Sequence, residues 1–319
     1  MQSKIMRTTI LLAAVLSAAA FSATQAADGY RQVPGVAGTV NSIGSDTLNN
    51  LMAYWGEGFR ALYPNVAVQV EGKGSGTAPP ALAAGAAQLG PMSREMTTAE
   101  IEAFEKARGF KPLAVPVAID CLAVYVHKDN PITGLTLAQA DAIFSSTRKR
   151  GLPEAKNWGD VGLTGAWATR GISCYGRNAA SGTYAFFKEN VLAKGDYKDS
   201  VKEQPGSAAV VNGIAADLGG IGYSGIGYKT SDVKIVPLAA EQGQPHIEAT
   251  FDHALDGTYP LARALYIYVP KKAGQPLDQA VLEFMRFVLS REGQELVVKD
   301  GYGALPAEII AEQLGLLNE

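Results

Sequence analysis

The run Gly176 Arg177 Asn178 Ala179 Ala180 Ser181 Gly182 Thr183 stands between a strand-like segment, Gly171–Tyr175, and an aromatic helical run that begins at Tyr184. Ser181 and Thr183 place hydroxyls and backbone N–H groups at a helix start, where unpaired donors and the helix dipole favour an anion. Arg177, four residues ahead of Ser181, adds a planar cationic fork. Alone, the run reads equally well as a Ser-capped helix with an outward-facing Arg. It does not stand alone. Ile43 Gly44 Ser45 Asp46 Thr47 Leu48 and Gly72 Lys73 Gly74 Ser75 Gly76 Thr77 also put small hydroxyl residues into Gly-rich turns ahead of helix-forming runs, and Leu89 Gly90 Pro91 Met92 Ser93 Arg94 is a fourth turn of the kind. Repeated strand, turn and helix imply an α/β chain whose turns gather on one small oxyanion.

The elements around these turns follow from periodicity. Val40–Ile43 reads as a strand. Leu48, Leu51, Met52, Trp55, Phe59 and Leu62 recur at helical spacing until Tyr63 Pro64 stops them. Val66, Val68 and Val70 alternate as a strand, Pro80–Gln88 fits a short helix, and Thr98–Ala107 an exposed amphipathic one. Leu113–Pro116 and Ile119–Val126 read as two strands, with Asp120 marking a turn or crossing point in otherwise apolar sequence. Leu137–Phe144 and Ser207–Leu218 predict helices, while Gly220–Ser224 and Val233–Leu238 predict strands. Residues 239–260 form a long, weakly periodic connection, Leu261–Val269 a strand, Leu277–Leu289 a helix, and the C-terminus a final short helix. The strands at 119–126 and 261–269 are where the chain is expected to cross between two lobes. Lobe 1 is then 27–118 plus 265–319, lobe 2 is 119–264, and the crossings lie near 118–122 and 261–266.

Residues 1–26 combine Lys4 and Arg7, an apolar stretch from Ile10 to Phe21 and a small-residue end at Ala26. That is the pattern of a cleaved secretory signal, too short to span a bilayer. Its removal leaves 26 basic against 31 acidic residues, a formal charge of -5, so the listless excess of acid argues against nucleic acid as a partner and requires any anion to be recognised locally. About 290 residues remain, enough for two lobes with their own cores. The only cysteines, Cys121 and Cys174, lie in apolar segments and read equally as a disulfide or as two separate buried thiols. His127, His246 and His253 lack metal-motif spacing, and no cofactor or metal is expected. Gly72–Thr77 lacks the G-x-x-x-x-G-K-[ST] spacing of a nucleotide-phosphate loop.

Five motifs carry a resemblance: Gly44 Ser45 Asp46 Thr47 Leu48; Gly74 Ser75 Gly76 Thr77 with Pro79 Pro80 Ala81 Leu82; Leu89 Gly90 Pro91 Met92 Ser93 Arg94; Gly176–Thr183; and Gly220 Ile221 Gly222 Tyr223. In order and spacing they resemble the phosphate-binding proteins of the PstS type, the exported receptors of bacterial phosphate ABC transporters, over nearly the whole chain after the leader. The resemblance implies a periplasmic-binding-protein-like fold with two α/β lobes joined by a hinge, a phosphate in the cleft, and delivery to a membrane permease driven by a separate ATPase. It also implies a periplasmic monomer, soluble and in part secreted. Position by position, Thr47 and Leu48 match the first binding turn, Ser75 the second, and Arg177, Ser181, Gly182 and Thr183 the third. One branch has Phe where Leu48 stands, a small departure if the backbone amide makes the contact. A familiar branch also places at the Arg94 position an Asp that accepts the phosphate proton, and the Ser93 Arg94 form departs from it, so that role is not carried over.

Hydrogen phosphate carries a proton near neutral pH and sulfate does not, so selectivity requires an acceptor aimed at the P–OH group. Asp46, inside the first turn, is the leading candidate, with Asp120 and Glu71 behind it. Arg177 is the expected cationic anchor and Arg94 a second. Ser75, Ser181 and Thr183 are expected donors, and Ser45 and Ser93 further contributors. Lys73 adds long-range attraction or merely solvates its turn. The competing functions are a receptor for sulfate or another tetrahedral oxyanion, a secreted phosphatase and an extracellular scaffold or adhesive protein. The phosphatase lacks a G-x-S-x-G elbow and a histidine marked as a base.

Overall fold

The computed structural model describes residues 29–318; the leader expected over 1–26 lies outside them. In the first lobe, β1 (Gly38–Gly44) and β2 (Val66–Gly72) pair in parallel with α1 (Asn49–Leu62) crossing between them. Leu51, Met52, Trp55 and Phe59 form the fully buried stripe of α1, at the spacing that one helix face requires. The helix α2 (Ala78–Ala84) is earlier and shorter than the Pro80–Gln88 reading. Its prolines sit in the first turn, where a missing N–H costs nothing, and Gly85, at φ +74°, ends it. After β3 (Gly90–Met92), α3 (Thr98–Arg108) starts in a reciprocal Thr97–Glu100 cap and stops at Gly109, φ +80°.

The strand β4 (Leu113–His127) corrects the expectation of two strands and a turn: it runs unbroken through Asp120 for 15 residues. A buried carboxylate would ordinarily end such a strand, but Asp120 lies directly across from Arg263 on the neighbouring strand, and the two charges neutralise each other. Pro116, which has no N–H for the ladder, falls where the register slips between Leu265 and Tyr266.

The second lobe holds β5 (Leu135–Thr136), α4 (Leu137–Phe144), β6 (Ser173–Arg177), α5 (Gly182–Asn190), β7 (Lys202–Gln204), α6 (Ser207–Ala215), β8 (Gly220–Gly225), β9 (Val233–Ile235), β10 (Leu238–Ala239) and α7 (Phe251–Leu255). The short α7 lies within the stretch that reads as a plain connection. The chain then returns through β11 (Ala262–Val269) to α8 (Gln279–Leu289), α9 (Arg291–Lys299) and α10 (Ala307–Asn318) in the first lobe. The large sheet runs β3-β11-β4-β8-β6-β7, with β9 also paired to β4. The first half of β4 pairs with β11 and its second half with β8 and β9, so β4 belongs to both lobes.

Buried apolar side chains divide accordingly. The largest core joins Trp55, Phe59, Ala118, Leu265 and Phe284; a second joins Cys121, Phe144, Phe187, Tyr223 and Leu261, and two smaller clusters lie around Phe104 and around Val210. In the second, Phe187 of α5 stacks on Tyr223 of β8 at 4.0 Å between ring centroids, which fixes the start of α5 against the sheet. Cys121 and Cys174 are separate free thiols, both buried, and burial pushes each up to about 12. No helix among the described residues is long and apolar enough to cross a membrane.

Candidate functional site

Four turns from the two lobes meet where the lobes face each other. The first follows β1. Gly44 runs so close to Pro91 that a Cβ there would collide with its carbonyl, and Ser45 N donates to that oxygen at 2.7 Å. Leu48, the residue that caps α1, supplies no side-chain acceptor; Asn49 N turns back to Asp46 O at 3.0 Å, and the amides of Thr47 and Leu48 just ahead of it stay open. Two tyrosines bind the turn's carbonyls instead: Tyr228 Oη donates to Asp46 O (2.9 Å) and Tyr302 Oη to Thr47 O (2.9 Å).

The second turn needs glycine twice over. Gly74 sits at φ +120°, and a Cβ on it would lie 2.5 Å from Ala180 O in the opposite lobe. Gly76 N donates to that same carbonyl at 2.9 Å, so the second and fourth turns touch directly. Ser93, at the end of β3, donates its amide to Ser75 Oγ at 3.0 Å. In the fourth turn, Ser181 Oγ accepts from Tyr184 N and caps α5, leaving Gly182 and Thr183 as its opening residues.

Their hydroxyls form one buried cluster. Thr47 Oγ1 and Thr183 Oγ1 are 2.9 Å apart, Ser75 Oγ and Ser93 Oγ 3.2 Å, and Ser93 Oγ and Thr183 Oγ1 3.5 Å. The amides of Thr47, Leu48, Ser75, Gly182 and Thr183 donate to no protein group among the described residues. Hydroxyl donors and free amides on one point suit a small, multiply charged oxyanion.

Arg177, at the end of β6, is 2% exposed and reaches the first turn through Asp46. Its Nη1 lies 3.1 Å from Asp46 Oδ2 and donates to Ser207 Oγ at 2.7 Å, while Nε has no protein partner among the described residues. Burial lowers its affinity for the proton and Asp46 opposes that shift. Asp46 Oδ2 also accepts from Ser207 N, the first amide of α6, at 2.7 Å. The carboxylate that the sequence suggests as a proton acceptor is thus engaged in orienting Arg177 and tying the first lobe to the second. The two other candidates are engaged as well: Glu71 pairs with Lys73 at 2.8 Å, and Asp120 with Arg263.

Arg94 is the expectation that the geometry corrects. Its guanidinium grips Glu100 through two bonds of 2.7 Å and donates to Glu95 O at 2.8 Å. Burial works to raise the Glu100 carboxyl, but Arg94 and the Thr97 amide outweigh it and hold it low. Arg94 therefore braces the start of α3, and the neighbouring Ser93 faces the cluster. The second cation is Arg263, which the sequence reading passed over. It donates to Ser93 O (2.8 Å), Thr183 Oγ1 (3.1 Å) and Asp120 Oδ2. The available signal was a lone Arg in an apolar strand and a lone Asp in another. Ser45 is buried, with its amide bound to Pro91 O, and Ser181 acts on α5. No group of three or more His, Cys, Asp or Glu among the described residues is placed to hold a metal ion.

Two lobes sharing β4 and β11, with turns converging between them, define a receptor of the binding-protein class, and a profile described as a PBP superfamily domain matches residues 29–292. The phosphate-binding protein PstS of Pseudomonas aeruginosa is 53% identical over 313 residues, covering 97% of this chain and 97% of that protein. That of Staphylococcus haemolyticus is 27% identical, covering 96% and 94%. A Clostridium perfringens substrate-binding protein solved with bound phosphate matches with a TM-score of 0.72 at 25% identity, over 84% of this chain and all of that one. The chain belongs to the PstS family of phosphate-binding proteins within the PBP superfamily.

Proposed function

We propose that this protein binds inorganic phosphate between its lobes, without turning it over, and delivers it outside the cytoplasm to the permease of an ABC transporter whose ATPase is a separate subunit. It is a solute-binding protein and not an enzyme, as its family membership implies. The observation that carries the reading is the meeting of four buried hydroxyls from both lobes, on turns that carry five open amides, with buried Arg177 held beside the first of those turns by Asp46. Thr47, Leu48, Ser75, Ser93, Gly182 and Thr183 supply the donors and Arg177 the charged fork, while Asp46 and Ser181 hold these groups in place. Lobe 1 is 27–118 with 265–319 and lobe 2 is 119–264. They rotate about the shared strands as a monomer, and closure brings the fourth turn against the three turns of the first lobe.

The charge balance sets the character of the binding. Arg177 faces Asp46 and Arg263 faces Asp120, so the two arginines bring no net charge to the site. A phosphate dianion there rests on fixed dipoles and hydrogen bonds rather than on a surplus of positive charge.

The test is calorimetric titration of the ligand-stripped chain with phosphate at several pH values, with sulfate as competitor. The expected result is a tight one-site phosphate isotherm that added salt changes little, and its loss in Arg177→Ala without loss of the folded state. Preferred sulfate binding would change the ligand, and equal phosphate binding by Arg177→Ala and its parent would refute the site.

A further inference from the structure

The Asp120–Arg263 pair does more than satisfy two buried charges. The residues face each other across β4 and β11, the strands that both lobes share, and both are buried. Arg263 donates to Asp120 Oδ2 from Nε at 2.9 Å and from Nη2 at 2.7 Å, and Asp120 Oδ1 accepts from Ile226 N at 3.1 Å. The rest of the fork reaches in two directions. Nη1 donates to Ser93 O in the first lobe at 2.8 Å; Nη2 donates to Thr183 Oγ1 in the second at 3.1 Å, and the guanidinium carbon lies 5.2 Å from the Phe186 ring centroid on the same helix.

Hydrogen-bond direction follows from this arrangement. A guanidinium only donates, so Thr183 Oγ1 is the acceptor in that bond, and its single hydrogen is left to point at Thr47 Oγ1 and Ser93 Oγ. Ser75 Oγ is wired in the same sense by Ser93 N. A hydroxyl whose oxygen is already satisfied turns its hydrogen to an incoming anion by rotation about Cβ–Oγ alone and keeps the bond it accepts, which is the economy of a preorganised site.

Resting on the reading of this site as one for a tetrahedral oxyanion, we propose that Arg263, held by Asp120, is a positioning residue for ligand binding. It fixes the Thr183 hydroxyl as a donor to the anion within the second lobe, and its bond to Ser93 O seats that donor against the first lobe when the two close. Arg263 acts through Thr183 and Ser93, and Asp120 cancels its charge, so it is not a second anchor of the Arg177 kind.

The test is a double-mutant cycle read by titration with inorganic phosphate. The paired change Asp120→Asn with Arg263→Gln removes both buried charges together, which avoids stranding one of them. It is made in the parent and in Thr183→Val and Thr183→Ser backgrounds, with thermal unfolding as the check on folding. The pair is expected to weaken phosphate by about tenfold in the parent and with Ser at 183, where a hydroxyl remains, and by less than about twofold with Val. An equal factor in all three backgrounds, or no loss in the parent, would overturn the proposal. If the paired variant does not fold, Arg263→Lys, which keeps the charge and breaks the fork, replaces it under the same criterion. A parent that binds no phosphate overturns the phosphate reading instead, and the cycle is then run with sulfate, which needs the same donors; a parent that binds neither overturns both.

Discussion

Gly182→Ala is expected to separate binding from stability. Gly182 opens α5 in the second lobe and does not have a left-handed φ, so alanine fits the backbone. Its added methyl, however, would fall well inside contact distance of Ser75 Oγ, 2.7 Å from Ser93 Oγ and 2.9 Å from Ser75 Cβ. Those groups are fully buried and belong to the first lobe, so the obstruction exists only when the lobes are closed. Overpacking of a buried contact costs about 1–3 kcal/mol, equivalent to weakening phosphate roughly 5- to 150-fold. In the open protein the same alanine replaces a poor helix former and adds up to ~1 kcal/mol of stability. Calorimetric titration should therefore show the loss of affinity, and thermal unfolding of the ligand-free protein should show an unchanged or slightly raised midpoint. Parent-like phosphate affinity would mean that the lobes do not close on Gly182 and would refute this geometry.

Asp46→Asn is expected to weaken phosphate and sulfate by similar factors, because the carboxylate's bonds go to Arg177 and the first amide of α6; a loss confined to phosphate in competitive titrations would make Asp46 the acceptor of the phosphate proton. Asp300 gives a stability prediction. Burial at the C-terminal end of α9 pushes its carboxyl up to about 6 from an ordinary 3.8, so the native state binds the proton more tightly than the unfolded chain, and the stability present below pH 3.8 is lost as pH rises through 6. Asp300→Asn should thus stabilise the protein at pH 7.5 by ~1–2 kcal/mol, after allowance for the group's partial exposure, and have little effect at pH 4; equal unfolding midpoints for parent and variant at pH 7.5 would count against it.

What could be read from the sequence is what short-range chemistry encodes. The stripe of α1 and the valines of β2 declare their periods within a dozen residues, and the Gly-rich turns that mark Thr47, Ser75, Ser93 and Thr183 are local as well. Element ends were harder. Ser290 ends α8 and caps α9 in the same residue, its Oγ accepting from Gly293 N at 3.2 Å, so two helices abut with no loop between them to announce the second. The prolines that suggested where α2 begins lie inside its first turn.

The charged residues divide by the distance to their partners. Arg94 finds Glu100 six residues on, within the Thr97-to-Glu100 spacing of a capping box, and a local reading had the means to assign it to α3 rather than to the ligand. Asp120 and Arg263 are 143 residues apart, and nothing near either one says that the other stands across the ladder. Asp120 read alone therefore looked like a break in a strand, although a buried charge with its partner in place lets the strand continue. The same pairing decides the electrostatics of the site. Since each arginine beside the hydroxyl cluster arrives with an aspartate, the ligand's charge must be met by amides and hydroxyls whose directions are set beforehand, and those directions come from groups that four separate turns bring together only in the folded, closed chain.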